Sequence, residues 1–175
     1  LDWSDTGVEG AYRFLKRLWT AVQEHIADDN EAAAFDKQSL NDDQKAMRLK
    51  LHETINKVSD DFDRRLTFNT AIAANMELLN SVTRFEDDSV PGRAIRQEVF
   101  DNMVLMLAPI IPHICHRLWR DLGHDSLIID HRWPEVDAAA LVQDSIEMVI
   151  QVNGKLRGKM QVGVDAERDV CEATA

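Results

Sequence analysis

The sequence predicts a mainly α chain, an antiparallel helical bundle followed by a C-terminal β-hairpin. Three observations carry that reading. Five segments repeat apolar residues at spacings of three and four, with short connections, as helices packed side by side require. Seven glycines and four prolines in 175 residues are too few for a turn-rich all-β protein. Residues 146–162 instead alternate apolar and polar side chains around Asn153-Gly154, the strongest hairpin signal in the chain. The length suits one domain with a small appendage. We therefore divide the chain into a bundle with a trailing linker, residues 1–143, and the start of a second domain, residues 144–175.

The first helix opens near Gly7-Val8-Glu9-Gly10. Its stripe is Phe14, Leu15, Leu18, Trp19, Val22 and Ile26, with Arg13, Lys16 and Arg17 largely off it. Asp28-Asp29-Asn30 ends it, and the acidic, Ala-rich stretch to Asn41 reads as a loop. Asn41 or Asp42 can cap a second helix, since a short side-chain oxygen accepts the free amide hydrogens of a first turn. That helix carries Met47, Leu51, Ile55, Val58 and Phe62 and ends around Arg64-Arg65. The third, Phe68-Asn69-Thr70-Ala71-Ile72-Ala73-Ala74 and onward through Met76, Leu79 and Val82, is rich in small residues and should pack closely on a neighbour.

Pro91 stands where a first helical turn tolerates it, opening a fourth helix through Ile95, Val99, Met103, Val104 and Leu107. Pro109 and Pro112 interrupt the chain before a fifth, residues 113–122, which Gly123 stops. One helical turn at 137–141 precedes the hairpin. A three-residue loop or a bulge would pair Val152 with Leu156 and Met148 with Met160. That gathers the apolar side chains on one face and sets Lys155, Arg157, Lys159 and Gln161 on the other. The open apolar face predicts a packing partner, either the bundle or, preferred because paired edges satisfy backbone groups, the hairpin of a second copy.

Composition narrows the function. Asp and Glu number 31 against 20 Lys and Arg, a formal charge of −11. Nucleic-acid binding through overall positive charge is excluded, leaving only local basic patches. Two cysteines, Cys115 and Cys171, build no disulfide framework and suggest a reducing compartment. No apolar run approaches the ~18 residues of a membrane span. The start carries no signal-peptide pattern and no initiator methionine, and both ends read as those of a fragment.

Catalytic patterns are missing. Phosphate loops, dinucleotide fingerprints and nucleophile elbows do not occur. His113-x-Cys115-His116 places two imidazoles near one helix face, but no second ligand pair exists, so packing and capping is the reading and no metal site is expected. Asp60-Asp61 and Asp87-Asp88 read as solvated helix faces and loops. The basic clusters are the exception. Arg13, Lys16 and Arg17 form one edge of the first helix, a net +2 over residues 8–20. Lys155, Arg157 and Lys159 stud one strand, with Gly154 and Gly158 beside them leaving room for a phosphate backbone. Each cluster is also what ordinary surface charge or a protected strand edge would look like.

Two stretches point further. Leu105-Met106-Leu107-Ala108-Pro109-Ile110-Ile111-Pro112-His113-Ile114-Cys115-His116-Arg117-Leu118-Trp119, followed by Trp133-Pro134, resembles the helical anticodon-binding domain of class I aminoacyl-tRNA synthetases with aliphatic substrates. Thr67-Phe68-Asn69-Thr70-Ala71-Ile72-Ala73-Ala74 resembles the same domain. Gly7-Val8-Glu9-Gly10-Ala11-Tyr12-Arg13-Phe14-Leu15-Lys16-Arg17-Leu18-Trp19 and Val149-Ile150-Gln151-Val152-Asn153-Gly154-Lys155-Leu156-Arg157-Gly158-Lys159 are similar to the bacterial leucyl branch, at its entry into the bundle and at the start of its C-terminal domain.

The resemblance implies a parent that activates leucine with ATP and Mg2+, transfers it to leucine-specific tRNA and edits errors, in the cytoplasm. The catalytic and editing domains would lie upstream, so the fragment should need no cofactor and catalyse nothing. It also implies that the bundle braces the tRNA backbone without reading anticodon bases. The nucleic-acid-binding candidates are then Arg13, Lys16, Arg17, Lys155, Arg157 and Lys159. Two alternatives stay open: a helical scaffold domain without RNA contact, and the isoleucyl or valyl relative.

Overall fold

The computed structural model describes residues 5–27, 36–37, 39–142, 145–152 and 155–163. The chain divides into two compact units, Leu1–Asp137 and Ala138–Ala175. Five helices build the first: α1 Asp5–Ala27, α2 Asp42–Asp60, α3 Phe68–Val82, α4 Val90–Leu107 and α5 Pro112–Asp121. Mainly helical architecture is therefore what the apolar spacing specified. Most of the acidic loop after α1 lies outside the described residues.

Helix α1 buries Phe14, Leu18, Ala21 and Val22, while Leu15, Trp19 and Ile26 lean on the core. Its first nine residues stay out of that core, all exposed except the half-buried Gly10. More than two turns of α1 thus run past the packed part of the bundle. Exposed Val8 and Tyr12 lie on this overhang.

Asn41, rather than Asp42, caps α2. Its Oδ1 accepts from the Gln44 amide at 2.9 Å, and Gln44 Oε1 accepts from the Asn41 amide at 3.0 Å. This reciprocal pair satisfies two of the amides that a helix start leaves unbonded. The helix buries Met47, Leu51, Ile55 and Val58, then widens into a π-turn, Asp61–Arg65. Leu66 follows in the left-handed region with φ 52, a conformation that Cβ makes costly for any residue but glycine.

Asp61 secures that corner, which corrects its reading as a solvated carboxylate. It is 1% exposed. Its Oδ1 accepts from Thr67 Oγ1 at 2.9 Å and its Oδ2 from Lys57 Nζ at 3.1 Å. Hydrogen bonding from Thr70, with that from Lys57 and Thr67, holds the carboxyl below its usual range against the opposing effect of burial. Asp87 is likewise engaged, accepting from Gln44 Nε2 at 2.7 Å and from the Ser89 amide at 2.9 Å.

Small Ala71 and Ala74 are buried on α3, which packs chiefly on α2. Ser89 caps α4 by accepting from the Gly92 amide at 3.2 Å. Gly92 has no freedom to change, since a Cβ there would overlap Asp87. Helix α4 packs against all four others and buries Ile95, Val99, Phe100, Met103, Val104, Met106 and Leu107. Helix α5 stops at Gly123, whose φ of +97 turns the chain sharply.

The polar centre joins α2, α4 and the end of the unit. Arg48 is 4% exposed. Its Nε and Nη2 donate to the two Glu98 oxygens at 2.9 and 3.0 Å, and Nη2 also reaches Asp137 Oδ2 at 3.0 Å. The Asp137 amide donates to His52 Nδ1 at 3.2 Å, and His52 Nε2 lies 3.5 Å from Glu98 Oε1. Burial by itself would raise the Glu98 carboxyl, but the hydrogen bonds from His52 and Arg48 win and hold it down to about 2.

The second unit holds a 3-10 turn, Ala138–Leu141, and two antiparallel strands, β1 Ser145–Val152 and β2 Lys155–Gly163. Met148 pairs with Met160, but Val152 pairs with Lys155 and not Leu156. The register shifts by one between Ile150 and Gln151, leaving Arg157 as the extra residue of a bulge. The bulge restores the pairing of Met148 with Met160 further along. Asn153 and Gly154, where the sequence signals a turn, lie outside the described residues.

Two outcomes follow for the first unit. A carboxylate held at about 2 in the fold and near 4.5 when unfolded stabilises the fold above pH 4.5, and that contribution disappears as pH falls to about 2. Glu98→Gln should therefore be less stable at neutral pH and show a flatter loss of melting temperature across that window. Cys115 is fully buried, and burial pushes its thiol up to about 12. In a Cys171→Ser variant, Cys115 should react with a thiol reagent only at the rate of unfolding. Rapid labelling of the native protein would contradict the packing described.

Candidate nucleic-acid interface

Helix geometry puts Arg13, Lys16 and Arg17 on the exposed side of α1, away from Phe14 and Leu18. Arg13 and Lys16 make no hydrogen bond or ion pair among the described residues. Arg17 differs: its Nη2 donates to Asn80 Oδ1 of α3 at 2.6 Å. The edge therefore combines two extended, solvated cations with one guanidinium held by a neutral partner that leaves its charge uncompensated. An uncharged anchor of this kind restricts the side chain and keeps it available to an anion.

The strand cations do not assemble as the alternation suggested. Lys155 pairs with Val152 and Lys159 with Val149, three residues apart on β1, so the two occupy positions of opposite alternation. The bulge at Arg157 is the physical reason, because one extra residue reverses the alternation beyond it. Arg157 is exposed at that bulge. A single comb of three cations on one strand face is replaced by Arg157 at an irregularity between two separated lysines.

The His-x-Cys-His segment takes a packing role. Cys115 is in the core, and His116 Nδ1 accepts from the Ile128 amide at 3.5 Å, seating the 3-10 turn Ile128–Asp130 on α5. Among the described residues no group of three His, Cys, Asp or Glu side chains is placed to hold a metal ion. Nor is any helix of the described residues long and apolar enough to cross a membrane.

A second imidazole group lies nearby. His124 stacks on Trp119 with ring centroids 3.6 Å apart, and its Nε2 meets Asp101 Oδ1 at 2.8 Å. Burial raises the Asp101 carboxyl, against the pull of His124 and Gln97. This pair straps the segment after α5 to α4. Further on, Trp133 ties the chain to the end of α2, donating from Nε1 to Ser59 Oγ at 2.7 Å and leaning on Phe62.

Sequence reading missed Asn80. Nothing in its local pattern marks it, because its partner is 63 residues away. Its position near the end of a helix already expected to pack closely was the available signal.

Residues 44–172 match the family described as the anticodon-binding domain of tRNA ligase. A leucine–tRNA ligase of Chromohalobacter salexigens is 57% identical over the whole chain, which covers 20% of that protein. One from Laribacter hongkongensis is 59% identical over the whole chain, again 20% of its length. The chain thus spans about one fifth of these relatives. Among solved structures, the ternary complex of Agrobacterium radiobacter K84 LeuRS with tRNA and LeuAMS superposes with a TM-score of 0.80 at 25% identity, covering 99% of this chain and 22% of that one. The chain belongs to the anticodon-binding domain family of tRNA ligases.

Proposed function

We propose that this chain is the tRNA-docking part of a leucine–tRNA ligase, and that it braces the tRNA backbone while other domains of the same polypeptide do the chemistry. The observation that carries this is the α1 edge. In a chain of charge −11, three exposed cations stand together on one helix, none with a carboxylate partner among the described residues. The relatives' names and the tRNA in the superposed complex support the choice of ligand and amino acid. A cytoplasmic location goes with that role.

Cations that meet phosphates fix orientation and carry no base information. The acidic remainder repels RNA elsewhere and disfavours wrong docking. Arg157, exposed on its bulge, with Lys155 and Lys159, forms the second proposed contact, on the C-terminal unit. The parent would activate leucine with ATP and Mg2+, transfer it to leucine-specific tRNA and hydrolyse mischarged product. We expect those two cofactors to be held by other domains of the parent, since this sequence carries no phosphate loop. The catalytic and editing domains would precede residue 1. For the apolar positions of the hairpin, we favour packing against the hairpin of a second copy over packing against the bundle.

The test is Arg13→Ala with Arg17→Ala in the full-length ligase. The Michaelis constant for tRNA should rise while leucine-dependent ATP–pyrophosphate exchange persists. Each lost phosphate contact should also lower the salt dependence of binding by about 0.7–0.9 in log–log slope. Unchanged tRNA binding would remove the α1 edge from the interface and favour a scaffold role.

A further inference from the structure

Asn80, which holds Arg17, is followed one helical turn later by a fourth cation. Arg84 is exposed and makes no side-chain hydrogen bond or ion pair among the described residues. Helix α3 ends at Val82, and the chain turns on to Arg84: the Thr83 amide bonds to the Leu79 carbonyl at 3.0 Å, and the Arg84 amide to the Ser81 carbonyl at 3.2 Å. Arg84 therefore lies just past the end of the helix whose Asn80 receives Arg17.

We propose that Arg84 is a further phosphate-binding residue of the RNA interface, and that Asn80 positions Arg17 within it. The inference rests on reading the α1 edge as that interface. What sets Arg84 apart is the state of its neighbours. Lys50 pairs with Glu77 at 3.4 Å, Arg93 bonds to the Asp88 carbonyl, and Arg96 bonds to the Phe85 and Asp87 carbonyls. Arg84 alone of these four is unengaged, although Glu86 and Asp87 follow it closely in sequence.

Arg84 also stands at a cleft of about 730 Å³ between α2 and the α3–α4 connection. Asp43, Glu86 and Asp87 line that cleft with Lys50. Three carboxylates against two cations make its interior unfavourable for a polyanion. RNA would be kept out of the cleft, and Arg84, which lines it and is exposed, would meet a phosphate from the solvent side. The cations of α1 and the one after α3 would then serve the same strand.

The experiment measures binding of leucine-specific tRNA to the full-length ligase across a salt series, with melting temperatures alongside. Arg84→Ala should weaken binding about two- to fivefold, the share of one exposed ion pair, and lower the log–log salt slope by about 0.7–0.9 at an unchanged melting temperature. Asn80→Ala should weaken binding when Arg17 is present and add nothing in an Arg17→Ala background. If Arg13→Ala with Arg17→Ala weakens binding but Arg84→Ala does not, the extension to α3 is wrong and the α1 interface stands. If none of them changes binding, the interface itself is wrong. A loss without a change in salt slope refutes a phosphate role for Arg84. Additive losses for Asn80 and Arg17 refute the positioning role.

Discussion

The bidentate pair between Arg48 and Glu98 is the constraint on which the bundle depends. A guanidinium 4% exposed cannot be left without counter-charge. Its partners come from α4 and from the last residue of the first unit, so α2, α4 and Asp137 must be in register together. Apolar packing tolerates small slides, because methyl groups are interchangeable neighbours. A planar fork facing a planar carboxylate is not so forgiving. The central position of α4 in the core and the place where the chain leaves the bundle are therefore set by one side chain. Such a pair gives less stability than its geometry suggests, since desolvation offsets most of the attraction, but removing one partner is costly.

The acidic excess has an orderly use in this context. Asp61, Asp87, Glu98 and Asp137 are all engaged, turning carboxylates into caps and bridges that bind segments distant in sequence. Cations are correspondingly drawn inward or tied at the surface, as Arg48, Arg96 and Lys57 show. The few left facing solvent gain meaning by contrast. At physiological salt the Debye length is about 8 Å, so a polyanion approaching α1 senses those cations and little of the remote negative charge. Local surface charge, not net charge, decides where it docks.

Much of the fold was legible because helices announce themselves locally. The stripe of α1, the cap at Asn41, the small-residue face of α3 and the stop at Gly123 are all written within one or two turns of sequence. The misreadings share a different cause. Asp61 read as solvated because its role depends on Thr67 and on a π-turn that no periodicity encodes. The cations of β2 read as a comb because alternation does not say where a bulge falls: it lies at Arg157, inside the strand, and not beside the turn. Asn80 carried no signal because its partner lies on another helix. Of the candidate site, the cluster on α1 was legible from spacing alone, while the contact that fixes one of its members was not.

The overhang of α1 has a thermal consequence. Nine residues cannot sustain a helix by themselves, because nucleation is unfavourable and isolated helices below about 12–15 residues are marginal. These turns are helical as an extension of the part nucleated on the core, and Gly7 and Gly10 weaken them further, by up to about 1 kcal/mol each relative to alanine. Arg13 lies at the boundary between the part packed on the core and the exposed extension. Warming would loosen this extension, which has no place in the core, before the bundle itself melts. The outer reach of α1 is thus graded with temperature, whereas the core beneath it unfolds as a unit.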